Sequence, residues 1–491
     1  MLAWLEWGVV GVGALMLVAT ALPLLRRDDW WIRVFDFPRL QITVLIGASF
    51  AAIVWLQHGM GRADGGAVAN LFLALLGAAF VYQCYRMRPF TRLARPQVQK
   101  SRTTDPDTRL SLLFSNVLMD NRESARLREL IREADPDIVL AVEADDWWQG
   151  ELRELERTHP HTVLQPQANT YGMLLYSRLP LRNAEVKFLV QDDVPSVHAC
   201  VQLRNGERVE LRCLHPRPPA PGENERSTER DAELLIVGKE IKQRQRPVVV
   251  LGDLNDVAWS HTNDLFKDIS GLLDPRIGRG FFHTFNAKWP LVRWPLDHCF
   301  HSTHFRLVDF RRLPACGSDH FPVYICLSYE PEAVREQPHL HADAAERQEA
   351  EQKVAEVWTH ALKEKLMALP HAQPLDVIGV APLGAALQGS VSTSLLKTRR
   401  LQLLHLVLPA RRDHPEHHVD DECTIHCLEG HVEVRMPGGT RRLGPGQLVV
   451  LPAQQKHSLS ARVDSAVLVT LLLRDGDAGD GGGAGNQRRA D

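Results

Sequence analysis

The chain has 491 residues, enough for two or three domains with cores of their own. Its formal net charge is -3, which excludes a global pull toward nucleic acid and leaves room only for a local basic groove. Eight cysteines lie scattered, and Cys423-x-x-x-Cys427 lacks a second metal-type pair, so a disulfide-stapled scaffold is excluded in favour of a reduced compartment.

The amino terminus is unlike the rest. Residues 2–25 are apolar apart from Glu6 and stop at Arg26-Arg27. Residues 41–57 and 66–84 are two further uncharged runs. Each approaches the length that crosses a bilayer, about 20 residues. Trp4, Trp7, Trp30, Trp31, Trp55 and Tyr85 cluster at the ends, where interface anchors belong. One such run alone reads equally as a buried core helix; three in succession predict membrane spans over residues 1–86. No basic region precedes the first run, which argues against a cleaved signal. Arg26, Arg27, Arg33 and Arg39 fill the first loop, Arg62 stands alone in the second, and six Lys or Arg follow the third run by residue 102. That bias predicts an integral protein of the inner, cytoplasmic membrane, with the amino terminus outside and all later domains in the cytoplasm.

Residues 87–108 are basic and proline-bearing and read as a linker. From residue 109 to about 330, short apolar runs alternate with helical stretches, the pattern of a mixed α/β domain. Strands are predicted over 110–114, 138–142, 173–176, 209–214 and 248–251, with helices over 123–134 and 230–242. Residues 331–372 have the spacing of a connecting helix. Residues 373–474 turn to short strands broken by Gly and Pro, which predicts a small all-β barrel. The Gly/Asp-rich tail, 475–491, reads as disordered.

The chemistry is concentrated in the α/β region. In order come Ser115-Asn116-Val117, Val142-Glu143-Ala144, Leu214-His215-Pro216, Gly252-Asp253-Leu254-Asn255-Asp256, Pro295-Leu296-Asp297-His298 and Gly317-Ser318-Asp319-His320. Most end an apolar run, and strand ends are where α/β proteins build sites. Together they offer oxygen ligands for a hard divalent cation and imidazoles for phosphate and proton work. Glu143 follows an apolar strand, where a lone carboxylate is costly unless solvated, paired or bound to metal. Strand alternation would put Asp253 and Asn255 on one side, although Gly-Asp-Leu-Asn-Asp also has the composition of a turn. Asp-His occurs at 297–298 and again at 319–320.

These motifs, in this order, resemble the endonuclease/exonuclease/phosphatase superfamily, a DNase I-like four-layer α/β sandwich. The run Tyr171-Gly172-Met173-Leu174-Leu175-Tyr176-Ser177-Arg178 resembles the central strand of that fold. The resemblance implies Glu143 as principal ligand of Mg²⁺ or Mn²⁺, with Asn116 and Asp319 beside it. It implies that Asp253 orients or deprotonates water and that Asn255 and His215 bind phosphate oxygens. His320 would contact the scissile phosphate, and Asp297 would fix its tautomer. The proline-rich stretch after His215 reads as a stiff substrate loop, and Trp259, Trp289 and Trp294 as flanks of the cleft or core packing.

The last domain resembles a cupin. Gly446, Pro452 and His457 have the spacing of the second cupin motif, with Ala461 in place of its terminal Asn. Glu416-His417-His418-x-x-x-Glu422 is a looser first motif, with Gly430 displaced. Two readings stay open: a transition metal held by His418, Glu422 and His457, or a metal-free barrel that binds a small ligand or forms a homodimer.

The expectation is a membrane-anchored, divalent-metal-dependent phosphoesterase acting on a phosphodiester, a phosphomonoester or a lipid-linked pyrophosphate. A metal-dependent nuclease is the alternative within the enzymes, against which net charge and spans count. A membrane-tethered ligand sensor with a non-catalytic sandwich is the alternative outside them.

Overall fold

The computed structural model describes residues 2–58, 66–367, 376–387, 392–398, 400–410, 418–419 and 421–472. The chain forms two compact units, 1–354 and 355–491.

In the first unit the three apolar runs are helices, Leu2–Ala21, Arg39–His58 and Ala67–Met87. All three are long and apolar enough to cross a membrane. They pack through a small core of Ala19, Ile42, Ile46, Ile53, Leu76 and Ala79. The turn between the first two holds Asp28, Arg33, Asp36 and Arg39, all buried. Arg39 pairs with Asp36 at 2.5 Å and donates to Gln83 of the third helix at 2.9 Å. Buried charge is tolerable only when paired and hydrogen-bonded. The same turn reaches into the α/β region: Arg33 donates to Thr262 Oγ1 at 2.8 Å, and the Trp259 indole donates to the Asp36 carbonyl at 2.7 Å.

The basic segment expected as a linker is ordered against the α/β domain. Leu307 donates to the Gln99 carbonyl, Ser101 donates to the Leu307 carbonyl, and Val98 is fully buried. An apolar residue in mid-segment has anchored an otherwise polar strap.

The domain itself has four layers. One sheet holds β1 (Arg109–Asn116), β2 (Ile138–Val142), β3 (His161–Gln165), β4 (Met173–Ser177), β10 (Phe305–Arg312) and β11 (Val323–Tyr329), in the order β10-β11-β1-β2-β4-β3. The other holds β5 (Leu181–Lys187), β6 (Ser196–Gln202), β7 (Arg208–Leu214), β8 (Val248–Asp253) and β9 (Asp297–His301) in sequence order. Side chains alternate across each strand. Leu112, Phe114, Leu140 and Val142 therefore meet Leu211, Cys213, Val249 and Leu251 in the central core. Leu113, Val139 and Ala141 face outward and are covered by Leu127, Leu130 and Ile131 of the helix Ser124–Ala134. Val248 and Val250 face the opposite way, toward the helices Thr228–Arg244 and His261–Ser270.

Beyond the sandwich, Pro331–Arg335 is one 3-10 turn, and the connecting helix begins only at Ala344 and runs to Met367. The last residues of the expected connector, 368–372, fall outside the described residues, as does the tail 475–491.

The second unit is all-β. Its five-stranded sheet has the order β12-β13-β19-β14-β17, and its three-stranded sheet the order β16-β15-β18. These strands are β12 (Thr393–Lys397), β13 (Leu401–Leu408), β14 (Cys423–Glu429), β15 (Val432–Met436), β16 (Gly439–Leu443), β17 (Leu448–Leu451), β18 (Ser458–Ala461) and β19 (Ser465–Leu472). The expected all-β character holds, and among the described residues the pairing forms two sheets and closes no barrel. A bulge between Cys427 and Glu429 precedes Gly430, whose φ of 79° suits glycine. The chain there leaves one sheet for the other. A shared core of Leu406, Ile425, Val434 and Leu459 fills the space between the sheets.

Candidate active site

Topology brings the motifs together. β1 and β2 are parallel, and so are β7 and β8. Their carboxy-terminal ends therefore open on one edge and carry Asn116, Glu143, His215 and Asp253. β9 runs antiparallel to β8, so its first residue, Asp297, lies opposite Asp253. Two glycines make the approach close enough. A Cβ on Gly252 would stand 1.8 Å from the Leu214 carbonyl oxygen, and one on Gly172 would stand 1.9 Å from that of Ala144. Only glycine lets β8 lie against His215, or the backbone before β4 lie behind Glu143. Glu143 itself has φ 57° and Asn255 φ 51°, backbone conformations that cost free energy and persist only where surroundings enforce them.

The result is a tight cluster. Glu143, His215 and Asp253 have ligand atoms within 4.8 Å of one another, as do Asp253, Asp297 and His320. The Asn116 amide donates to Glu143 at 2.6 Å and to Asp253 at 3.1 Å, while its oxygen accepts from Leu118 N at 3.0 Å. His320 uses Nδ1 on Asp297 at 2.9 Å and turns Nε2 toward Asp253 at 3.5 Å. Ser318 donates to the Asn116 carbonyl and accepts from the His320 N–H, which ties the last motif to β1.

The electrostatics suits a site that takes a cation. Burial pushes Glu143 up to about 7, and Asp253 and Asp319 add to the rise. Burial also raises Asp253. Neither has an Arg or Lys partner among the described residues. Burial pushes His215 down to about 4, so it is a neutral imidazole, the form that ligates metal. Its Nδ1 has no hydrogen-bond partner among the described residues. Burial would lower His320 too, but Asp297 and Asp253 outweigh it and push it up to about 10. Carboxylates, a neutral imidazole and an imidazolium in one pocket suit a divalent cation and a phosphate together.

Other expectations resolve differently. Asp319 joins neither ligand group; it is half-buried, and its carbonyl accepts from Ala287 N. Asn255 does not continue the strand alternation. Its N–H closes a turn on Asp253 Oδ1 at 2.9 Å, and its amide donates to the Pro216 carbonyl at 3.0 Å. Asp297-His298 does not act as a pair within the dipeptide: His298 is locked between the Asp256 carbonyl and Arg276, while Asp297 serves His320. Trp259 is a buried tie to Asp36, Trp294 stacks on Phe285, and Trp289 is exposed. In the β unit, His418, Glu422 and His457 form no ligand group, and His457 Nδ1 lies 2.9 Å from the Gln455 carbonyl. Glu416 and His417 fall outside the described residues.

Two walls were not foreseen. Phe285 lies 5.0 Å from the His320 ring, centroid to centroid. Tyr171 lies 5.4 Å from the His215 ring, with Arg217 stacked over it at 4.7 Å. Arg217 also pairs with Asp193 and Glu223, which stiffens the loop after His215. Arg230, donating to the Asn255 carbonyl at 2.8 Å, was likewise missed. A fully buried arginine one turn into a helix carries no sequence signal that separates it from a surface residue.

Residues 113–320 match the model of the Endonuclease/Exonuclease/phosphatase family, so the chain carries a domain of that kind. No curated protein matches the chain. Among solved structures it is similar to the human Nocturnin catalytic domain, at 16% identity over 49% of this chain and 99% of that one, with a TM-score of 0.38. It is similar to Danio rerio TDP2 in complex with a single-strand DNA product, at 16% identity over 45% and 99% of the two chains, with a TM-score of 0.37. An endonuclease/exonuclease/phosphatase from Beutenbergia cavernae matches at 14% identity over 74% and 100%, with a TM-score of 0.37.

Proposed function

We propose that the protein is a membrane-anchored phosphoric ester hydrolase that depends on Mg²⁺ or Mn²⁺ and acts on a lipid-linked phosphodiester or pyrophosphate. The observation that carries this is the convergence of Glu143, His215, Asp253, Asp297 and His320 at the ends of two parallel strand pairs. Glu143, Asp253 and His215 would hold the cation, with Asn116 and Asp319 at its margin. When bound, it neutralises charge on the phosphate oxygens. Asp253 orients the attacking water and takes its proton. His320, held by Asp297, presents Nε2 as a charged donor to the phosphoryl group as the water oxygen bonds to phosphorus and the leaving oxygen departs. Asn255, whose backbone N–H is given to Asp253 and whose amide is given to the Pro216 carbonyl, would hold the loop that positions Asp253. Three helices long and apolar enough to cross a membrane support a substrate that resides in a bilayer. Catalytic and all-β units would then both lie in the cytoplasm, as the Lys/Arg bias predicts.

The test uses the full-length protein in lipid nanodiscs. Hydrolysis of methyl p-nitrophenyl phosphate, p-nitrophenyl phosphate, a polyprenyl pyrophosphate and single-stranded DNA is followed with Mg²⁺, Mn²⁺ or chelator. The expected result is divalent-dependent hydrolysis of a phosphate ester that Glu143→Gln abolishes. Turnover of DNA alone would select the nuclease, and no divalent-dependent turnover of any probe would overturn the proposal.

A further inference from the structure

Residues 288–293 read Lys-Trp-Pro-Leu-Val-Arg and form a protruding loop. Its apolar side chains face outward: Trp289 is 68% exposed, Leu291 84% and Val292 41%. Three large apolar groups at a loop tip are unfavourable in water and signal a partner. The position of the loop says which partner. The Leu291 carbonyl accepts from Gln41 Nε2 at 2.9 Å, and Gln41 lies in the first turn of the second apolar helix. The tip therefore stands level with the start of a span. Trp31 and Val34, in the turn between the first two spans, are exposed at the same end.

The loop is also continuous with the catalytic wall. Asn286 N donates to the Val292 carbonyl, and Ala287 N donates to that of Asp319 at 2.6 Å. The Phe285 backbone bridges to His320 and to Trp294. The rings follow the same line: Phe285 packs on His320, stacks on Trp294 at 5.8 Å, and Trp294 meets Phe37 edge-on at 5.6 Å. Phe37 precedes the second span directly. An unbroken apolar surface thus joins the phosphate-handling histidine to the membrane end of the anchor.

We propose that residues 288–293 insert into the bilayer interface and admit to the site phosphoesters whose apolar tail stays in the lipid. Lys288 supplies a cation at the headgroup level, and Trp289 has the amphipathic ring that favours that depth. A tail leaving the site along Phe285 and Trp294 would enter lipid without crossing water. The substrate class rests on the hydrolase reading above; the insertion itself does not.

Two measurements separate them. In the first, Leu291 is replaced by p-benzoylphenylalanine in the full-length protein, reconstituted in nanodiscs and irradiated. Cross-linking to phospholipid is expected at 291 and not at a control in place of the exposed Glu154. Absence of lipid adducts, or adducts only to a second copy of the chain, would overturn the insertion whatever the activity. In the second, hexadecyl p-nitrophenyl phosphate embedded in the disc is compared with soluble methyl p-nitrophenyl phosphate, which shares its leaving group. Combined Trp289→Ser, Leu291→Ser and Val292→Ser should slow the hexadecyl ester by about tenfold or more, given what interfacial burial of three such side chains contributes. Hydrolysis of the methyl ester should not change. Equal loss on both esters, or loss on neither, would overturn delivery through the loop. A wild-type protein that cross-links to lipid but hydrolyses neither these esters nor the other phosphate probes would break the hydrolase reading and leave the insertion standing.

Discussion

The α/β sandwich and the all-β unit each offered a set of metal-type residues, and the two sets end differently. Glu143, His215 and Asp253 converge because three strand ends share one edge of a double sheet. His418, Glu422 and His457 do not converge, and His457 is turned to the backbone of its own loop. Both sets were comparable as residue types. The difference is in the scaffold. Parallel strand pairs aim successive motifs at one place, whereas the bulge before Gly430 divides the β unit into two sheets. Ligand identity is cheap in sequence; convergence needs topology.

The sharpest test of that contrast is Glu143→Gln. It should lower divalent-dependent turnover by about a thousandfold or more, since charge stabilisation at such a centre is worth several kcal/mol. Its Tm without metal should hold or rise, because a buried charge is removed. Chelation of the wild type should reproduce the loss of rate. His320→Ala should cost about 10²- to 10⁴-fold in kcat, the range for a group acting on the reacting atoms. Asp297→Asn should cost less, about 10- to 100-fold, because it acts by orienting His320. Single-turnover rates on one ester would rank the three, and Asp297→Asn exceeding His320→Ala would break the assigned roles.

Acid should unfold the catalytic unit through histidines outside the site. Burial pushes His198 down to about 3 and His301 to about 4. Both bind a proton more readily unfolded, at a pKa of about 6.5. Their contribution is complete above that pH and is lost as pH falls toward the folded values, at up to about 1.4 kcal/mol per pH unit for each. Tm should therefore drop steadily from pH 6.5 downward, and His198→Gln should flatten the slope. The smallest effect is expected in the β unit: His457→Ala should leave hydrolysis by the full-length protein unchanged. Loss of activity there, with His320→Ala active, would invert the comparison.

Much of the sandwich was legible because its strands are short, uniformly apolar and end in reactive residues. Asn116, Glu143, His215 and Asp253 each sit at such an end, whereas Asp297 begins a strand and His320 lies in the loop before β11. What escaped notice depends on three-dimensional neighbours. Asp297-His298 and Asp319-His320 are the same dipeptide, yet one histidine meets Arg276 and the other meets a carboxylate pair. Trp289 and Trp294 are five residues apart, and only the fold shows one as exposed and the other as stacked. The strap over 87–108 looked loose because only a few scattered apolar residues, Met87, Phe90 and Val98, carry its burial.

The polar contacts of the turn between the first two apolar helices bear on how the protein is made. Arg33 meets Thr262 across 229 positions, and Lys353 meets Asp28 across 325. A ribosome finishes the three spans long before it delivers those partners. The nascent turn must wait with its charges solvated, and the sandwich completes its own charge pairing only on reaching it. A chain starting near residue 109 would lack Arg33 beside Asp256 and Asp28 beside Lys353, leaving Asp256 to Arg230 and Lys353 to Asp231 alone. The amino-terminal turn thus takes part in completing the charge pairing of the α/β domain, and the apolar helices that flank it hold it in place for that step.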